Sequence, residues 1–250
     1  MNPLRIAFLP IVRVQFDVSL AEEMITLAKD ALQSGGFELS GPSKPISDLA
    51  GAQAALHALS GEEIDLVLVF QATFADSTMI VAIAEALQDL PLFLWAVPEN
   101  WTGERLRLNA LCGINLAGHA LTLREIPYDY AYALPQNPRA LAQVRALAMA
   151  GRLRRQLKGT RLGVVGEHPA GMDTCRLDEE ALTRHFGVRI EHVTLDEVFH
   201  RARATLPMVI EASRAMLQSR LENLSSLEQG PVNGTLGVYN ALKDIASERG

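Results

Sequence analysis

IDLVLVF at residues 64–70, followed directly by QATFAD at residues 71–76, is the stretch that decides the fold of this 250-residue chain. The run IDLVLVF is apolar almost throughout, which is typical of a strand covered on both faces. A second apolar run, LRIAFL at residues 4–9, ends at Pro10 and is also predicted to be a buried strand. Strands of this kind occur mainly in parallel sheets that are flanked by helices.

Helical segments separate the predicted strands. Ser19 and Glu22 have the spacing of a capping box, which predicts a helix that stops at the glycines 35–36. Further elements are predicted as helices at residues 77–88 and 105–119 and as a strand at residues 92–95. The alternation predicts an α/β fold with a doubly wound parallel sheet of the flavodoxin or Rossmann type. Aromatic residues alternate at residues 125–134, and this pattern is compatible with either an edge strand or an extended linker.

A second α/β unit is predicted from Arg161, where RLGVVG indicates a strand entering a glycine-rich turn. The predicted domains are residues 1–136, a connecting helix at 137–160, and a second α/β domain at 161–250. We expect the second domain to be incomplete at its C-terminal end, because no strand follows its last helix. The basic cluster RLRRQLKG at residues 152–159 is interpreted as a solvated helix end whose cations complement the helix dipole.

Bulk composition excludes several classes of protein. The chain is 48% hydrophobic and 21% charged, and its net charge is -6, so we expect no general binding to nucleic acid or to an anionic membrane. No apolar run approaches the roughly 20 residues that span a bilayer, and the start does not look like a secretory signal. Cys112 and Cys175 are interpreted as buried free thiols rather than a disulfide. These features favour a cytoplasmic protein.

Polar side chains follow the predicted strands at the point where each one ends, which is where open parallel sheets bind ligands. They are Arg13, Gln15 and Asp17, then Gln71, Thr73 and Asp76, then Glu99, and in the second unit Glu167, His168 and Asp173. Structural alternatives remain open: Arg13 could pair with Asp17, and Asp76 or Ser77 could cap a helix. Trp95 is more typical of a core. Glu167, His168 and Asp173 of the second unit could hold a metal, although adjacent Glu and His side chains rarely converge on one ion without a third ligand. No GxGxxG, P-loop, HExxH or GxSxG motif is present.

Three stretches, in order, carry a family resemblance. They are PIVRVQFDVSLAEE at residues 10–23, the pair VFQATFAD at 69–76 and RLRLNALCGINLAGHAL at 105–121, and GVVGEHPAGMDTC at 163–175. Together they resemble the L-fucose/L-arabinose isomerase superfamily, in particular its shorter fucose-isomerase-like members. The Arg-Leu-Asn-x-Leu-Cys-Gly string is the most specific match, and the resemblance covers nearly the whole chain as an amino-terminal portion.

The resemblance implies conversion of an aldose, a pentose or a 6-deoxyhexose, to a ketose through a cis-enediol. It implies a divalent metal, usually manganese, whose acidic and histidine ligands have no counterpart in residues 1–250. We therefore expect this chain to hold no cofactor, with Mn²⁺ bound only in the complete enzyme, and to be inactive alone. It also implies a homo-oligomer, a trimer or hexamer, whose first domain lends residues to a neighbour's site.

The substrate-binding residues that the resemblance implies are Arg13, Gln71, Thr73, Phe74, Asn109 and His168. Arg13 is expected to donate hydrogen bonds to several sugar hydroxyls, and Phe74 to cover an apolar sugar face. Two other hypotheses remain open at this point. The chain could be a non-catalytic sugar-binding or regulatory module, or an assembly scaffold that uses its acidic, helix-rich surface.

Overall fold

The computed structural model describes residues 2–101, 103 and 105–249, which form two compact units that divide after Arg155. The first unit is built on a parallel five-stranded sheet of order β2-β1-β3-β4-β5 that is flanked by helices. Its elements are β1 (Leu4–Ile11), α1 (Val18–Ser34), β2 (Phe37–Ser40), α2 (Leu49–Ala58), β3 (Leu66–Gln71), α3 (Thr78–Ala86), β4 (Leu92–Ala96), α4 (Ala110–Thr122), β5 (Asp129–Tyr132) and most of α5 (Pro138–Leu157). The predicted α/β fold with a parallel Rossmann-like sheet is confirmed.

The two apolar runs occupy the middle of the sheet, as their composition predicts. β1 pairs with β3 in register from Ile6 opposite Leu66 to Ile11 opposite Gln71, and all of β3 is buried. Trp95 of β4 is completely buried, and its indole N–H donates to the carbonyl of Ala133 at 2.9 Å. The core reading of Trp95 is therefore confirmed.

Several element boundaries differ from the predictions. Asp17, not Ser19, caps α1, because its carboxylate accepts from the amide of Leu20 at 2.9 Å. The helix predicted from Arg105 begins only at Ala110. β2 and α2 had no distinct apolar pattern and were not predicted. Residues 125–134 were compatible with either an edge strand or an extended linker. They contain β5, an edge strand that pairs with β4.

The basic end of α5 is not simply solvated, which corrects the earlier interpretation. Arg152 donates to the buried carboxylate of Asp65 at 2.7 and 3.1 Å, and Arg155 donates to its other oxygen at 2.7 Å. The amide of Arg5 donates to the same carboxylate at 2.9 Å. Asp65 lies just before β3 and is completely inaccessible to solvent, so its charge needs these partners. Two arginines of the cluster therefore anchor α5 to the amino-terminal edge of the sheet.

The second unit contains a two-stranded parallel sheet and helices around it. Its elements are β6 (Arg161–Val165), α6 (Glu179–Phe186), β7 (Arg189–Val193), α7 (Leu195–Ala204), α8 (Pro207–Gln218) and α9 (Gln229–Arg249), with short 3₁₀ turns at Asp173–Cys175 and Leu224–Ser226. The predicted caps of α6 and α7 are confirmed, since Asp178 and Thr194 accept from the amides of Ala181 and Glu197.

Two further observations concern compartment and thiols. Within the described ranges, none of the helices combines the length and the apolar character needed to cross a membrane. Cys112 and Cys175 are both exposed free cysteines, so the expectation that they are buried was wrong. Cys112 lies on α4, whose buried face is formed instead by small residues such as Gly113 and Ala117.

Candidate functional site

Three loops meet at the carboxyl-terminal edge of the first sheet. We call them loop 1 (residues 12–17, after β1), loop 3 (residues 72–77, after β3) and loop 4 (residues 97–109, after β4, with residues 102 and 104 outside the described part). Because β1, β3 and β4 are adjacent and parallel, their carboxyl ends bring these loops together. The polar residues that follow β1, β3 and β4 therefore share one edge of the sheet.

Loops 1 and 3 are joined through the predicted residues Arg13 and Thr73. The amide of Arg13 donates to the hydroxyl oxygen of Thr73 at 2.8 Å, and that hydroxyl donates to the carbonyl of Phe74 at 2.9 Å. The guanidinium of Arg13 forms an ion pair with Asp76, not with Asp17. Asp76 also accepts from the amide of Thr78, the first residue of α3, whereas Ser77 at the N-cap position makes no side-chain capping hydrogen bond. Thr73 is completely buried, so its hydroxyl serves to connect the two loops.

Glu99 organises loop 4. Its carboxylate accepts from three consecutive backbone amides, those of Arg107, Leu108 and Asn109, at 2.6, 2.9 and 2.5 Å. Residues 107–109 are thereby held in a turn, which explains why the predicted helix starts later. Asn109 adopts a left-handed conformation with φ of 50°, which asparagine tolerates better than most residues. Its side-chain Oδ1 is buried and accepts no hydrogen bond in the structure.

Arg107 connects loop 4 to loop 1. Its Nε and Nη2 atoms donate to one oxygen of Asp17 at 2.9 and 2.7 Å, and its carbonyl accepts from the amide of Asp17 at 3.0 Å. The backbone hydrogen bond from Leu20, followed by the hydrogen bond from Arg107, lowers the pKa of Asp17 below its ordinary value. A further backbone bond, from the amide of Phe74 to the carbonyl of Leu108 at 2.7 Å, connects loop 3 to loop 4. All three loops are therefore tied pairwise.

An aromatic pair lies among these bonds. The rings of Phe16 and Phe74 are 5.8 Å apart, and the guanidinium of Arg105 lies 5.2 Å from the centre of the Phe16 ring. Phe74 is half-buried, so part of its ring remains accessible at this edge. Exposed apolar side chains also belong to these loops, namely Val14, Trp101 and Leu106. The edge therefore offers apolar surface next to arginine and amide groups.

Gln71, the last residue of β3, is buried beneath α4. A Cβ atom at Gly113 would lie 2.6 Å from its Nε2 atom, so the missing side chain at Gly113 makes room for the glutamine. The side chain of Gln71 is only 2% exposed. A ligand at the surface would therefore not contact the Gln71 side chain directly.

The sixth predicted residue, His168, belongs to the second unit. It lies in the loop after β6 and is exposed, as are Glu167 and Asp173. The structure thus brings Arg13, Gln71, Thr73, Phe74 and Asn109 to one sheet edge of the first unit, and it gives His168 a comparable position after the first strand of the second.

The described residues do not form a metal site. Among residues 2–101, 103 and 105–249, no three or more histidine, cysteine, aspartate or glutamate side chains are placed together to hold an ion. Three of the described carboxylates at this edge already have partners: Asp17 pairs with Arg107, Asp76 pairs with Arg13, and Glu99 accepts from backbone amides. The trio in the second unit does not provide a metal-binding group either.

Sequence reasoning missed Arg107 as a part of this edge. Arg107 begins the Arg-Leu-Asn-x-Leu-Cys-Gly string, the most specific match to the family. Because a helix was predicted over this stretch, no partner was predicted for the Arg107 side chain. Glu99 was the signal that could have indicated this turn. It precedes residues 107–109, and backbone amides that are not part of a helix need acceptors such as its carboxylate.

Comparisons with known proteins identify the family of this chain. The sequence profile of the fucose/sulfoquinovose isomerase N-terminal domain matches residues 8–153. The sulfoquinovose isomerases of Priestia aryabhattai and Priestia megaterium are each 29% identical to this chain over 203 residues, which is 80% of this chain and 44% of each relative. That of Alkalicoccus urumqiensis is 29% identical over 249 residues, 98% of this chain and 56% of the relative.

The chain spans about half the length of the curated relatives it matches. The matched profile includes all three loops and the sheet from the middle of β1 onward, and it covers more than half of the chain. The resemblance to fucose-isomerase-like proteins is therefore confirmed, and this chain belongs to the fucose/sulfoquinovose isomerase family through its N-terminal domain.

Proposed function

We propose that this chain is the amino-terminal, sugar-contacting part of an aldose–ketose isomerase that works through a cis-enediol. The observation that supports this most is the pairwise tying of loops 1, 3 and 4 within the region that matches the isomerase family. A rigid edge with arginine, amide and aromatic groups suits a polyhydroxylated ligand, because such ligands need fixed donors beside apolar surface.

Each predicted residue then has a physical role. Arg13 donates to sugar hydroxyls while Asp76 holds its guanidinium in place. Phe74 packs against an apolar sugar face, and Asn109, which is only partly buried, lies beside it and contributes a polar contact to the sugar. Thr73 is buried and joins loops 1 and 3, and Gln71 is buried against α4 at Gly113. His168, in the loop after β6, is proposed to contact a sugar hydroxyl.

The substrate is proposed to be an aldose, either a pentose or a 6-deoxyhexose. The relatives are named sulfoquinovose isomerases, so sulfoquinovose joins the candidates. When bound, a divalent metal such as Mn²⁺ would polarise the sugar carbonyl, and its ligands are proposed to come from polypeptide outside the described residues. We further propose a cytoplasmic homo-oligomer, a trimer or hexamer.

A chimeric enzyme tests the proposal. Residues 1–250 replace the matched region of the Alkalicoccus urumqiensis enzyme, and the product is assayed with Mn²⁺ on pentoses, 6-deoxyhexoses and sulfoquinovose, with the parent enzyme as the positive control. We expect ketose formation from at least one sugar. We also expect Arg13→Ala to raise KM about tenfold or more, since it removes charged hydrogen bonds. Arg139→Ala, an exposed arginine on α5, is the matched control and should leave KM unchanged.

The result that contradicts the proposal is a folded chimera that converts none of these sugars. The alternative is a non-catalytic sugar-binding module. Calorimetry distinguishes it from the isomerase proposal by measuring how tightly the 250-residue chain binds the same sugars. Tight binding without metal would favour the binding module, because an isomerase part without its metal should bind weakly. Light scattering of the purified chimera measures its molar mass and so tests the proposed trimer or hexamer.

A further inference from the structure

The loops of the first sheet edge contain three arginines, and these differ in their partners. Arg13 pairs with Asp76 and Arg107 pairs with Asp17, so both of these cations already contact a carboxylate of the chain. Arg105, in loop 4, is exposed, and in the part of the chain that the structure describes its guanidinium forms neither an ion pair nor a hydrogen bond. Its N–H donors are therefore available to a ligand.

Arg105 lies beside the aromatic pair of this edge. Its guanidinium carbon is 5.2 Å from the centre of the Phe16 ring, and the Phe16 ring is 5.8 Å from the Phe74 ring. A guanidinium that contacts an aromatic face keeps its N–H donors, because the attraction comes from the ring and not from an acceptor atom. The contact also restricts a long side chain, so less conformational entropy is lost when a ligand binds to it.

The described carboxylates nearby leave the charge of Arg105 largely uncompensated. Asp17 and Asp76 each face another arginine, and the carboxylate of Glu99 accepts from three backbone amides. Because each of these charges is offset by its own partners, it weakens the field of Arg105 less than a free carboxylate would. Loop 4 is also anchored just after Arg105, where the amide of Arg107 donates to Glu99 at 2.6 Å.

We propose that Arg105 selects aldoses that carry an anionic group, a sulfonate or a phosphate, on the carbon farthest from the carbonyl. The inference rests on the proposed function, because it takes the sugar to lie against Phe74, next to Phe16 and Arg105. A guanidinium presents paired N–H donors that fit two oxygens of a sulfonate or a phosphate. A 6-deoxyhexose has only a methyl group at that carbon, so it gains nothing from the cation.

Kinetics of the chimera test the proposal. Its kcat/KM is measured with three sugars that share the configuration of glucose and differ only at the last carbon: sulfoquinovose, glucose 6-phosphate and 6-deoxyglucose. We expect at least one charged sugar to be preferred over 6-deoxyglucose about tenfold or more, because hydrogen bonds between charged groups are the stronger ones. The preference should fall as salt is added, since exposed charges are screened. Comparing the two charged sugars shows whether the site takes the sulfonate or the phosphate.

Variants assign the preference to Arg105. Arg105→Met keeps an unbranched apolar side chain beside Phe16 but removes the charge, so the preference should fall about tenfold, through KM for the charged sugar rather than kcat. Arg105→Lys keeps the charge without the paired donors and should retain part of the preference. Arg139→Ala, which removes an exposed arginine on α5, is the matched control and should keep all of it. A merely structural role of Arg105 would instead lower kcat/KM equally for all three sugars.

A second measurement does not depend on catalysis. The isotope-labelled 250-residue chain is titrated with the same three sugars, and the Nε–H resonance of Arg105 is followed by NMR. The resonance is assigned by its absence from the spectrum of Arg105→Met. We expect it to shift with a charged sugar at concentrations at which 6-deoxyglucose has no effect, because only the charged sugar has an anionic acceptor for this donor.

Two results would overturn the proposal. One is a chimera that converts sugars without a preference for a charged one, or with a preference that Arg105→Met leaves intact. The other is an Arg105 resonance that responds equally to charged and neutral sugars or to none of them. A failure of the proposed function looks different. In that case the chimera converts none of the sugars, while the Arg105 resonance still shifts with a charged sugar and the anion contact stands.

Discussion

Replacing Asp65 should destabilise the first unit more than replacing any other carboxylate near it. The side chain is inaccessible to solvent and receives hydrogen bonds from Arg152, Arg155 and the amide of Arg5. Asp65→Ala leaves two guanidinium groups without their carboxylate. Those side chains are 19% and 33% exposed, so water relieves part of the penalty. We therefore expect a loss of about 3 kcal/mol in the free energy of unfolding, the low end for a broken buried pair.

Glu63→Ala is the matched control. Glu63 pairs with Arg5 and Arg155 at 3.3 and 3.2 Å, but its side chain is 65% exposed, so its removal should cost less than about 1 kcal/mol. Urea unfolding followed by tryptophan fluorescence measures both variants, because Trp95 and Trp101, the two tryptophans of the chain, lie in the first unit. If Asp65→Ala costs no more than Glu63→Ala, the buried carboxylate does not anchor α5 as described.

The same site predicts a dependence on pH. Burial raises the pKa of Asp65, but hydrogen bonds from Arg152, from the amide of Arg5 and from Arg155 outweigh it and hold the pKa below its ordinary value. Because the pKa of Asp65 is lower in the folded state than in the unfolded state, its ionised carboxylate stabilises the fold. This contribution is complete at pH values above the unfolded-state pKa of about 3.9. This stability is lost as the pH falls through the lower folded-state pKa. The difference in unfolding free energy between the wild type and Asp65→Asn should therefore shrink below about pH 4. A difference that is constant down to pH 2 would refute this.

Three further predictions concern packing, loop 4 and the thiols. Gly151→Ala should cost about 1 to 3 kcal/mol of unfolding free energy, because its Cβ would lie 1.9 Å from the carbonyl oxygen of Asp65. Gly234→Ala in α9, with open space around it, should instead be neutral or stabilising in thermal melts. Glu99→Gln should raise hydrogen exchange at the amides of residues 107–109 about tenfold, and unchanged rates would show that the carboxylate does not hold the turn. Both cysteines should react with a thiol reagent in the native protein, and a thiol that appears only in denaturant would contradict their exposure.

The main features of the first unit follow from local patterns. The apolar runs of β1 and β3, and their alternation with amphipathic segments, are enough to predict a parallel sheet. Once the sheet is parallel, adjacent strand ends must share one edge, so Arg13, Thr73 and Phe74 were expected to lie together. Asn109 was included because of its motif rather than its predicted position. The short β2 and the α2 that follows it lack such a pattern, and neither was predicted.

The sequence by itself determined the fold class, the order of the main strands and helices, the loops that carry the polar residues, and the family. Only the tertiary structure decided which charges pair: Arg107 with Asp17, 90 residues away, and Arg152 with Asp65, 87 residues away. Burial patterns are local because they follow the period of a strand or helix. Ion-pair partners depend on how separate elements pack against one another, which no local period contains.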